Sequence, residues 1–559
     1  MRQFWIGPYI AYIVAFGLLP LLLTFYLVGF NPSAVESLFL DFPPGTFQLA
    51  LYNTLLFASA TALISTLLAL ILAIRVDSLP RRWQIPLSLL ILVPYTIPFT
   101  ASTMVWYTIF DPLYGPAYYL IKLLRLPMLN LTTVPGLSIW AVTIVGIWGS
   151  VSFAYLVIIG GLKTVNKELR EVAQIDGASM SQYYFGVVLP YVFKVVVTAF
   201  LITFILQLGD FDIPFILTQG GPGYSSTTLP LMVYDLLYFM GDLKAGETVA
   251  ALLAAIATAP ALALLYVMRA GGLYVRMPAL KIPDKVFNAA LWIFFAAILA
   301  FLLFPVYWMF LIAFRPDQYD FITPPIIYPT VFTAKYFLDA LARSTPYVVT
   351  NVVVGAAAAA LSVLLAGPAA YLMAKRNRLG PLLLTIYLYA LPPTSFIFPI
   401  YLFAVWSNLL NTWWILILST PIFTATLSAW VFFNVFRDLP NEYHEMAEVE
   451  GAGSTRILFR IIAPITRSAW FTLFTLSFIV NWHLLFYPIV LTQTPYQFNF
   501  PPTGAQTVTI FAIESIMSTS VDWSTLAASA LVVALPVLVL SYLILGRMLE
   551  GFNIGGLKG

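Results

Sequence analysis

The chain has 559 residues and no cysteine. Disulfides, thiolate metal sites and thiol catalysis are thereby excluded. It holds only two histidines, His444 and His483, which lie too far apart for a local metal motif. Charge is scarce: Asp, Glu, Lys and Arg make up 9% of the residues, against about 25% in an average soluble domain. The net charge of +3 is small, and no basic block points to nucleic acid. The phosphate-cradling pattern Gly-x-x-x-x-Gly-Lys-Ser/Thr is missing, so the chain has no nucleotide loop of its own and cannot hydrolyse ATP alone. No Ser/His/Asp arrangement or metal-ligand cluster suggests a membrane enzyme, and we assign no catalytic or metal residue.

What the chain has in excess is apolar surface. Hydrophobic residues make up 61%, well above the usual 45–50% or so. A soluble fold of this composition would leave too little polar surface to face water. The expected fold class is therefore an all-α polytopic membrane protein embedded in a lipid bilayer. Apolar runs long enough to cross, about 20 residues, lie near 7–30, 49–75, 84–109, 136–162, 191–218 and 246–270. A second set lies near 287–314, 347–374, 381–407, 412–436, 467–493 and 523–546. The run 4–28 is longer than a signal-peptide core and reads as the first span. Six spans plus six define two halves, 1–275 and 276–559, joined by the polar stretch 276–285.

Lysine and arginine set the orientation. With the N-terminus inside, 21 of the 27 basic residues fall on the inner side, and only Lys122, Arg125, Lys244, Arg315, Lys335 and Arg343 fall outside. Because six is even, both halves share one orientation and both chain termini are cytoplasmic. The halves are then parallel repeats about an axis along the membrane normal.

A motif occurs twice, 274 residues apart, on the inner side. The first copy carries Glu168, Glu171, Ala173, Asp176, Gly177 and Ala178, then Phe185 and Pro190. The second carries Glu442, Glu445, Ala447, Glu450, Gly451 and Ala452, then Phe459 and Pro464. One offset aligns seven identities within 23 residues without a gap. The acidic segments have helical spacing: Leu169, Val172 and Ala173 share a face, as do Tyr443, Met446 and Ala447. Gly177 and Gly451 stand where a left-handed cap would end each helix. A second amphipathic helix is expected next, with Pro190 or Pro464 opening the following span. Each copy is a polar elbow that presents an acidic and apolar knob to the cytoplasm. Two equivalent knobs call for a partner with two equivalent sockets.

This motif resembles the Glu-Ala-Ala…Gly loop of permeases of binding-protein-dependent ABC importers. The resemblance implies a type I ABC importer permease fold, in which the loop's short helix docks in a cleft of the ATP-binding subunit. It assigns ATPase coupling to Glu168, Glu171, Ala173, Asp176 and Gly177, and to Glu442, Glu445, Ala447, Glu450 and Gly451. Departures are modest: Val172 and Met446 replace the middle alanine, and Glu450 the usual aspartate. Val165 and Asn166 lack the proline that often precedes the helix, whereas Pro440 keeps it. The first half resembles the larger, maltose-type permease and the second its smaller companion, so the chain looks like a fusion of two subunits in a prokaryotic cell membrane. The implied partners are two copies of a cytoplasmic ABC ATPase and an extracellular sugar-binding protein. ATP and Mg would be bound by the ATPase subunits, and this chain would carry no cofactor.

Further resemblances narrow the substrate to a sugar. The segment Thr218, Gly220, Gly221, Pro222 resembles the Thr-x-Gly-Gly-Pro stretch of carbohydrate permeases, although a plain turn at a span exit would also explain it. The glycine-rich end from Glu550 to Gly559 resembles the tail of the smaller sugar-permease subunit. Asn481, Trp482, His483 and Phe486 resemble that subunit's Trp-Asn-Glu-Phe region. A sugar site needs hydroxyl-pairing groups beside aromatic faces, and polar groups within a membrane tend to line cavities. The candidates are Trp148, Ser150 and Phe153 in the fourth span, and Gln207, Asp210 and Asp212 in the fifth. Their positions match those lining the substrate site of the maltose-type permease, though the family's asparagines there are not retained. Helix–helix hydrogen bonding is an equal alternative for each, and Asp212, part of a segment seen in many sugar permeases, is the one it suits best. Trp5, Trp106 and Trp292 read as interfacial anchors, and Asn53 and Asn351 as caps of corresponding second spans.

The rival class is a twelve-span secondary sugar carrier driven by a proton or sodium gradient. It would explain the span count. It would not explain two docking elbows, and the loop 75–82 lacks the Gly-x-x-x-Asp-Arg pattern of that class.

Overall fold

A computed structural model describes residues 6–28, 35, 36, 38, 45–125, 130–269, 275, 278–376, 380–517 and 522–551, the side chains of Lys167, Met517 and 542–551 excepted. Every regular element among the described residues is helical. That is the membrane solution, in which each backbone polar group is satisfied within its own segment. Among the described residues, nine helices are long and apolar enough to cross: Ile6–Val28, Thr46–Asp77, Ser138–Leu162, Met180–Leu208, Leu243–Arg269, Asp284–Ala313, Lys335–Lys375, Trp413–Arg437 and Trp523–Ser541. Two further spans are bent pairs, Gly380–Tyr389 with Pro393–Trp406 at 105° and Ser454–Ile465 with Arg467–His483 at 84°.

The remaining expected span, near 84–109, is two helices, Arg81–Leu92 and Phe99–Ile109, each too short to cross alone. Pro94 and Pro98 lie between them. Each removes a backbone donor and clashes with the preceding turn, so a straight helix cannot run through. Its counterpart in the second set breaks at Pro392 and Pro393. The third span of each set is thus interrupted at a proline pair.

The chain forms two compact units, and each draws on both halves of the sequence. One unit comprises residues 1–41, 232–258 and 342–511. Within it, Tyr12 donates to the carbonyl of Leu418 at 2.8 Å and Thr24 to that of Ser395 at 3.0 Å. The first span therefore packs among helices some 400 residues on. The other unit comprises 42–231, 259–341 and 512–559. There Trp148 Nε1 donates to the Leu302 carbonyl and Trp308 Nε1 to Thr108 Oγ1, both at 3.0 Å. Helix contacts in a membrane lack a hydrophobic drive and rely on close packing and such hydrogen bonds. Gly146 shows the packing, since a Cβ there would stand 2.8 Å from the Phe57 ring. The proposed division of the sequence at 275–276 borders residues outside the described set.

Three expectations need correction. Asn53 is not a cap: it sits within the helix Thr46–Asp77, whose N-cap is Gly45. Its amide donates to the Thr227 carbonyl at 3.1 Å. Asn351 likewise lies inside Lys335–Lys375, donating to the Trp482 carbonyl and accepting from Val508 N, both at 3.3 Å. Each staples a span to its neighbours. Trp106 is no interfacial anchor: it is 5% exposed and packs against Phe110 and Trp148. Trp292 is exposed, with the Arg75 guanidinium 3.9 Å above its ring. Trp5 and residues 552–559 of the glycine-rich tail lie outside the described residues.

Candidate functional site

The two elbows close alike, by the same pair of C-terminal hydrogen bonds. Helices Lys167–Ile175 and Glu442–Val449 form where the acidic segments predict them. Glu168, and Glu442 with Glu445, occupy the first turns, where the helix dipole favours negative charge. Asn166 caps the first helix by accepting from Glu168 N at 3.1 Å. Each helix closes on a glycine, Gly177 at φ +71° and Gly451 at φ +78°. Gly177 N bonds to Gln174 O at 3.1 Å and Ala178 N to Ala173 O at 2.9 Å. In the second copy, Gly451 N bonds to Glu448 O at 3.0 Å and Ala452 N to Ala447 O at 2.9 Å. This is the Schellman closure in both. Ala173 and Ala447 each supply one of its accepting backbone carbonyls, and both side chains are buried, which suits a small residue.

The chain then enters the next span through a π-helical turn, Tyr184–Val188 in one copy and Leu458–Ile462 in the other. These turns are also 274 residues apart and immediately precede Pro190 and Pro464. In the first copy no separate amphipathic helix forms, because Met180–Leu208 runs on as one span. In the second the expected break is present, as the 84° bend.

Three apolar side chains per elbow face outward at helical spacing. Leu169, Val172 and Ile175 are 38, 54 and 84% exposed; Tyr443, Met446 and Val449 are 40, 59 and 89% exposed. The same offset relates the two triplets. Glu168, Glu171, Asp176, Glu442, Glu445 and Glu450 are exposed around them. Within its own unit the first elbow is tied to the segment before Asp284–Ala313. Met180 N donates to Asp284 Oδ1 at 2.8 Å, and Ser181 Oγ to the Leu280 carbonyl at 2.8 Å. The second is tied to the end of Lys335–Lys375. There Lys375 pairs with Glu448 at 2.6 Å, and the Tyr371 hydroxyl meets the His444 ring at 3.2 Å. Partial burial, then the Lys375 charge, hold His444 below its usual pKa, against a weaker pull from Glu448 and Glu445.

The six membrane candidates separate into smaller groups. Ser150 and Gln207 meet directly: Gln207 Nε2 donates to Ser150 Oγ at 3.1 Å. Gln207 Oε1 is buried without a hydrogen-bond partner, as are Thr61 Oγ1 and Thr203 Oγ1 in the same unit. Phe153, one helical turn from Ser150, lies 6.0 Å from the Tyr95 ring. Trp148 is two residues from Ser150 and so points to another helix face; its indole N–H is engaged by Leu302. Asp210 accepts from Ile213 N at 3.0 Å and thereby starts the helix Asp212–Leu217, whose first residue is Asp212. The Thr-x-Gly-Gly-Pro loop is a self-bonded turn. Thr227 Oγ1 donates to Gly220 O at 3.1 Å and Ser226 Oγ to Gly221 O at 2.7 Å.

One residue was named in the sequence only for a family resemblance and not as a site candidate. The elbow offset of 274 carries Gln207 onto Asn481, whose amide oxygen is likewise buried and unpartnered. Extending the repeat beyond the elbows would have found it.

Comparison with known proteins gives a family for both halves of the chain. The profile described as "Binding-protein-dependent transport system inner membrane component" matches twice, over residues 65–271 and 362–551. Among curated relatives, the trehalose/maltose transport system permease protein MalF of Thermococcus litoralis is 29% identical over 29% of this chain and 55% of its own length. The sulfoquinovosyl glycerol transport system permease protein SmoG of Agrobacterium fabrum is 30% identical over 37% of this chain and 66% of its own. The match therefore spans between half and two thirds of these two relatives. The Thermococcus litoralis permease protein MalG is 23% identical over 49% of this chain and 99% of its own length.

Proposed function

The chain belongs to the family of binding-protein-dependent transport system inner membrane components, and from that premise we propose that it is the fused, two-subunit permease of an ATP-driven sugar importer. The observation that carries the proposal is the pair of elbows. Each offers an exposed apolar triplet ringed by carboxylates, on a helix closed by the same hydrogen bonds. Two copies of one ATPase subunit would each take one triplet into a cleft, at the cytoplasmic face of a prokaryotic plasma membrane. Leu169, Val172 and Ile175, and Tyr443, Met446 and Val449, would supply the buried contact. Glu168, Glu171 and Asp176, and Glu442, Glu445 and Glu450, would meet basic groups at the rim.

The closed elbow acts as a stiff lever. Movement of the first reaches Asp284–Ala313 through Met180 and Ser181, and movement of the second reaches Lys335–Lys375 through Tyr371 and Lys375. ATP-induced closure and outward opening would stabilise one another, which is what coupling between the sites requires. ATP and Mg belong to the partner subunits in this scheme.

An extracellular binding protein would deliver the sugar. Ser150 and Gln207 would pair with its hydroxyls, the latter through an oxygen that lacks a donor. Phe153 beside Tyr95 offers an aromatic face for the ring. Asp210 and Asp212 would bound the same path, and Trp148 would hold its helix in place. The names of the trehalose/maltose and sulfoquinovosyl glycerol relatives point to glycosides, and this chain's substrate is proposed in that class.

The test is ATPase activity and uptake in proteoliposomes holding the chain with its genomically adjacent ATPase and binding protein. Hydrolysis stimulated by one sugar, and only with the binding protein, supports the proposal. Sugar uptake driven by a proton or sodium gradient, without the ATPase, would replace it with the secondary carrier.

A further inference from the structure

Gln207 and Asn481 lie 274 residues apart, the offset that relates the elbows. Both are buried, at 3 and 8% exposure. Both have their amide nitrogen engaged, Gln207 with Ser150 Oγ at 3.1 Å and Asn481 with the Ser477 carbonyl at 2.7 Å. Both keep an amide oxygen that meets no donor. The Ser477 carbonyl can only accept, so it fixes the Asn481 amide with its NH₂ toward its own helix. The oxygen is the group Asn481 has left to offer.

Asn481 lines a cavity of about 10 Å³ together with Asn351, Thr420, Leu484, Pro488 and Thr507. That is room for one water-sized group. The wall hydroxyls have no proton for Asn481. Thr420 Oγ1 donates to Leu416 O at 2.8 Å. Thr509 Oγ1 donates to Leu484 O at 2.9 Å, which makes Thr507 the donor in its 2.8 Å bond to Thr509. A buried acceptor with no donor is costly to maintain. Asn351 keeps one amide hydrogen beyond the one on Trp482 O, but it does not reach Asn481 Oδ1, so the donor that fits the cavity is a water or a ligand hydroxyl standing in its place.

We propose that Asn481 forms a second hydroxyl-binding site for the carbohydrate substrate, the counterpart of Gln207 and separate from it. The site takes a single sugar hydroxyl rather than a ring, and Asn481 Oδ1 is the acceptor. This rests on the sugar-importer reading above.

The experiment measures uptake of radiolabelled trehalose and maltose, and of their monodeoxy analogues, by the complete complex in proteoliposomes. Wild type is compared with Asn481→Leu, Asn481→Thr and Gln207→Leu. Co-purification of the ATPase with each variant checks that it is assembled, and Asn481→Thr replaces Asn481→Leu if the latter is not. The expected result is a KM raised about three- to tenfold in Asn481→Leu, the worth of one neutral hydrogen bond. One deoxy analogue that is penalised by a similar factor in wild type should be transported by Asn481→Leu as well as the parent sugar. A purely structural asparagine would leave the deoxy penalties unchanged. Unchanged penalties in the Asn481 variants, with Gln207→Leu losing its own, would overturn the second site and leave the importer standing. Failure of wild type to take up these two or any other sugar, with the ATPase bound, would contradict the importer reading and this site with it.

Discussion

Ile175 and Val449 are the most exposed side chains of the two outward triplets, at 84 and 89%. Side chains that touch so little of their own chain contribute almost nothing to its stability. If they dock in an ATPase cleft, they contribute to association instead. Ile175→Ala removes three carbons and Val449→Ala two, each carbon worth about 0.8 kcal/mol when buried. Scaled by exposure, the losses are about 2 and about 1.4 kcal/mol, or roughly thirtyfold and tenfold in affinity. The elbows are separate in sequence and each has its own socket, so in the double variant each site keeps its own loss and the overall two-site association constant falls by about 3.4 kcal/mol, roughly 300-fold. The assay is titration of the purified chain with its ATPase in detergent, alongside the chain's own thermal unfolding. Unfolding should stay within about 0.5 kcal/mol of wild type, as for other surface changes. Unchanged ATPase affinity in the double variant would refute the docking assignment.

Gly177→Ala and Gly451→Ala should each cost about 1–2 kcal/mol of backbone strain, because an added Cβ meets nothing within 4 Å and only the positive φ is penalised. Sugar-stimulated ATPase activity should fall in both, and asparagine at either position should restore most of it; equal activity in the alanine variants would contradict the closure argument. His444 is held below its usual pKa, so its neutral form is favoured in the folded chain. Its stabilising share is then complete above about pH 6.5 and is lost as pH falls through the lowered value. His444→Gln should flatten the acid limb of thermal stability, and an unaltered limb would show that the Tyr371–His444 contact is idle. Arg315 and Asp320 form a buried ion pair at 2.9 Å, with Ser524 on the other carboxylate oxygen at 2.8 Å. Burial still pushes Asp320 up to about 6 despite the arginine. Arg315→Leu alone should destabilise by about 3–5 kcal/mol, and Arg315→Leu with Asp320→Leu by much less; equal losses in both would show that the cost is packing.

The elbows were legible because their signal is local. A glycine cap, a helical face and a fixed repeat are all written within two dozen residues, and the hydrogen bonds fall where the spacing puts them. Most spans were legible from length and hydropathy alone. The broken third spans were less so: Pro94, Pro98, Pro392 and Pro393 sit in runs whose average hydropathy hides them. Asn53, Asn351 and Trp106 were misplaced for a related reason. In a membrane protein a residue near a span end can face lipid, water or another helix, and only the packing decides. The mixing of both halves of the chain within each compact unit lies beyond sequence pattern, since Tyr12 gives no hint that its partner is Leu418. Asn481 was within reach, had the repeat been followed past the elbows.

The absence of cysteine makes the most direct test simple. Ile175→Cys and Val449→Cys each place the chain's sole thiol at one elbow, and Trp83→Cys places one at an exposed position remote from both in sequence. Each chain is co-expressed with the adjacent ATPase and treated with a short thiol–amine crosslinker. The account predicts that both elbow thiols capture the ATPase, one copy each, and that position 83 does not. Capture from neither elbow, by a folded and inserted chain, would contradict it.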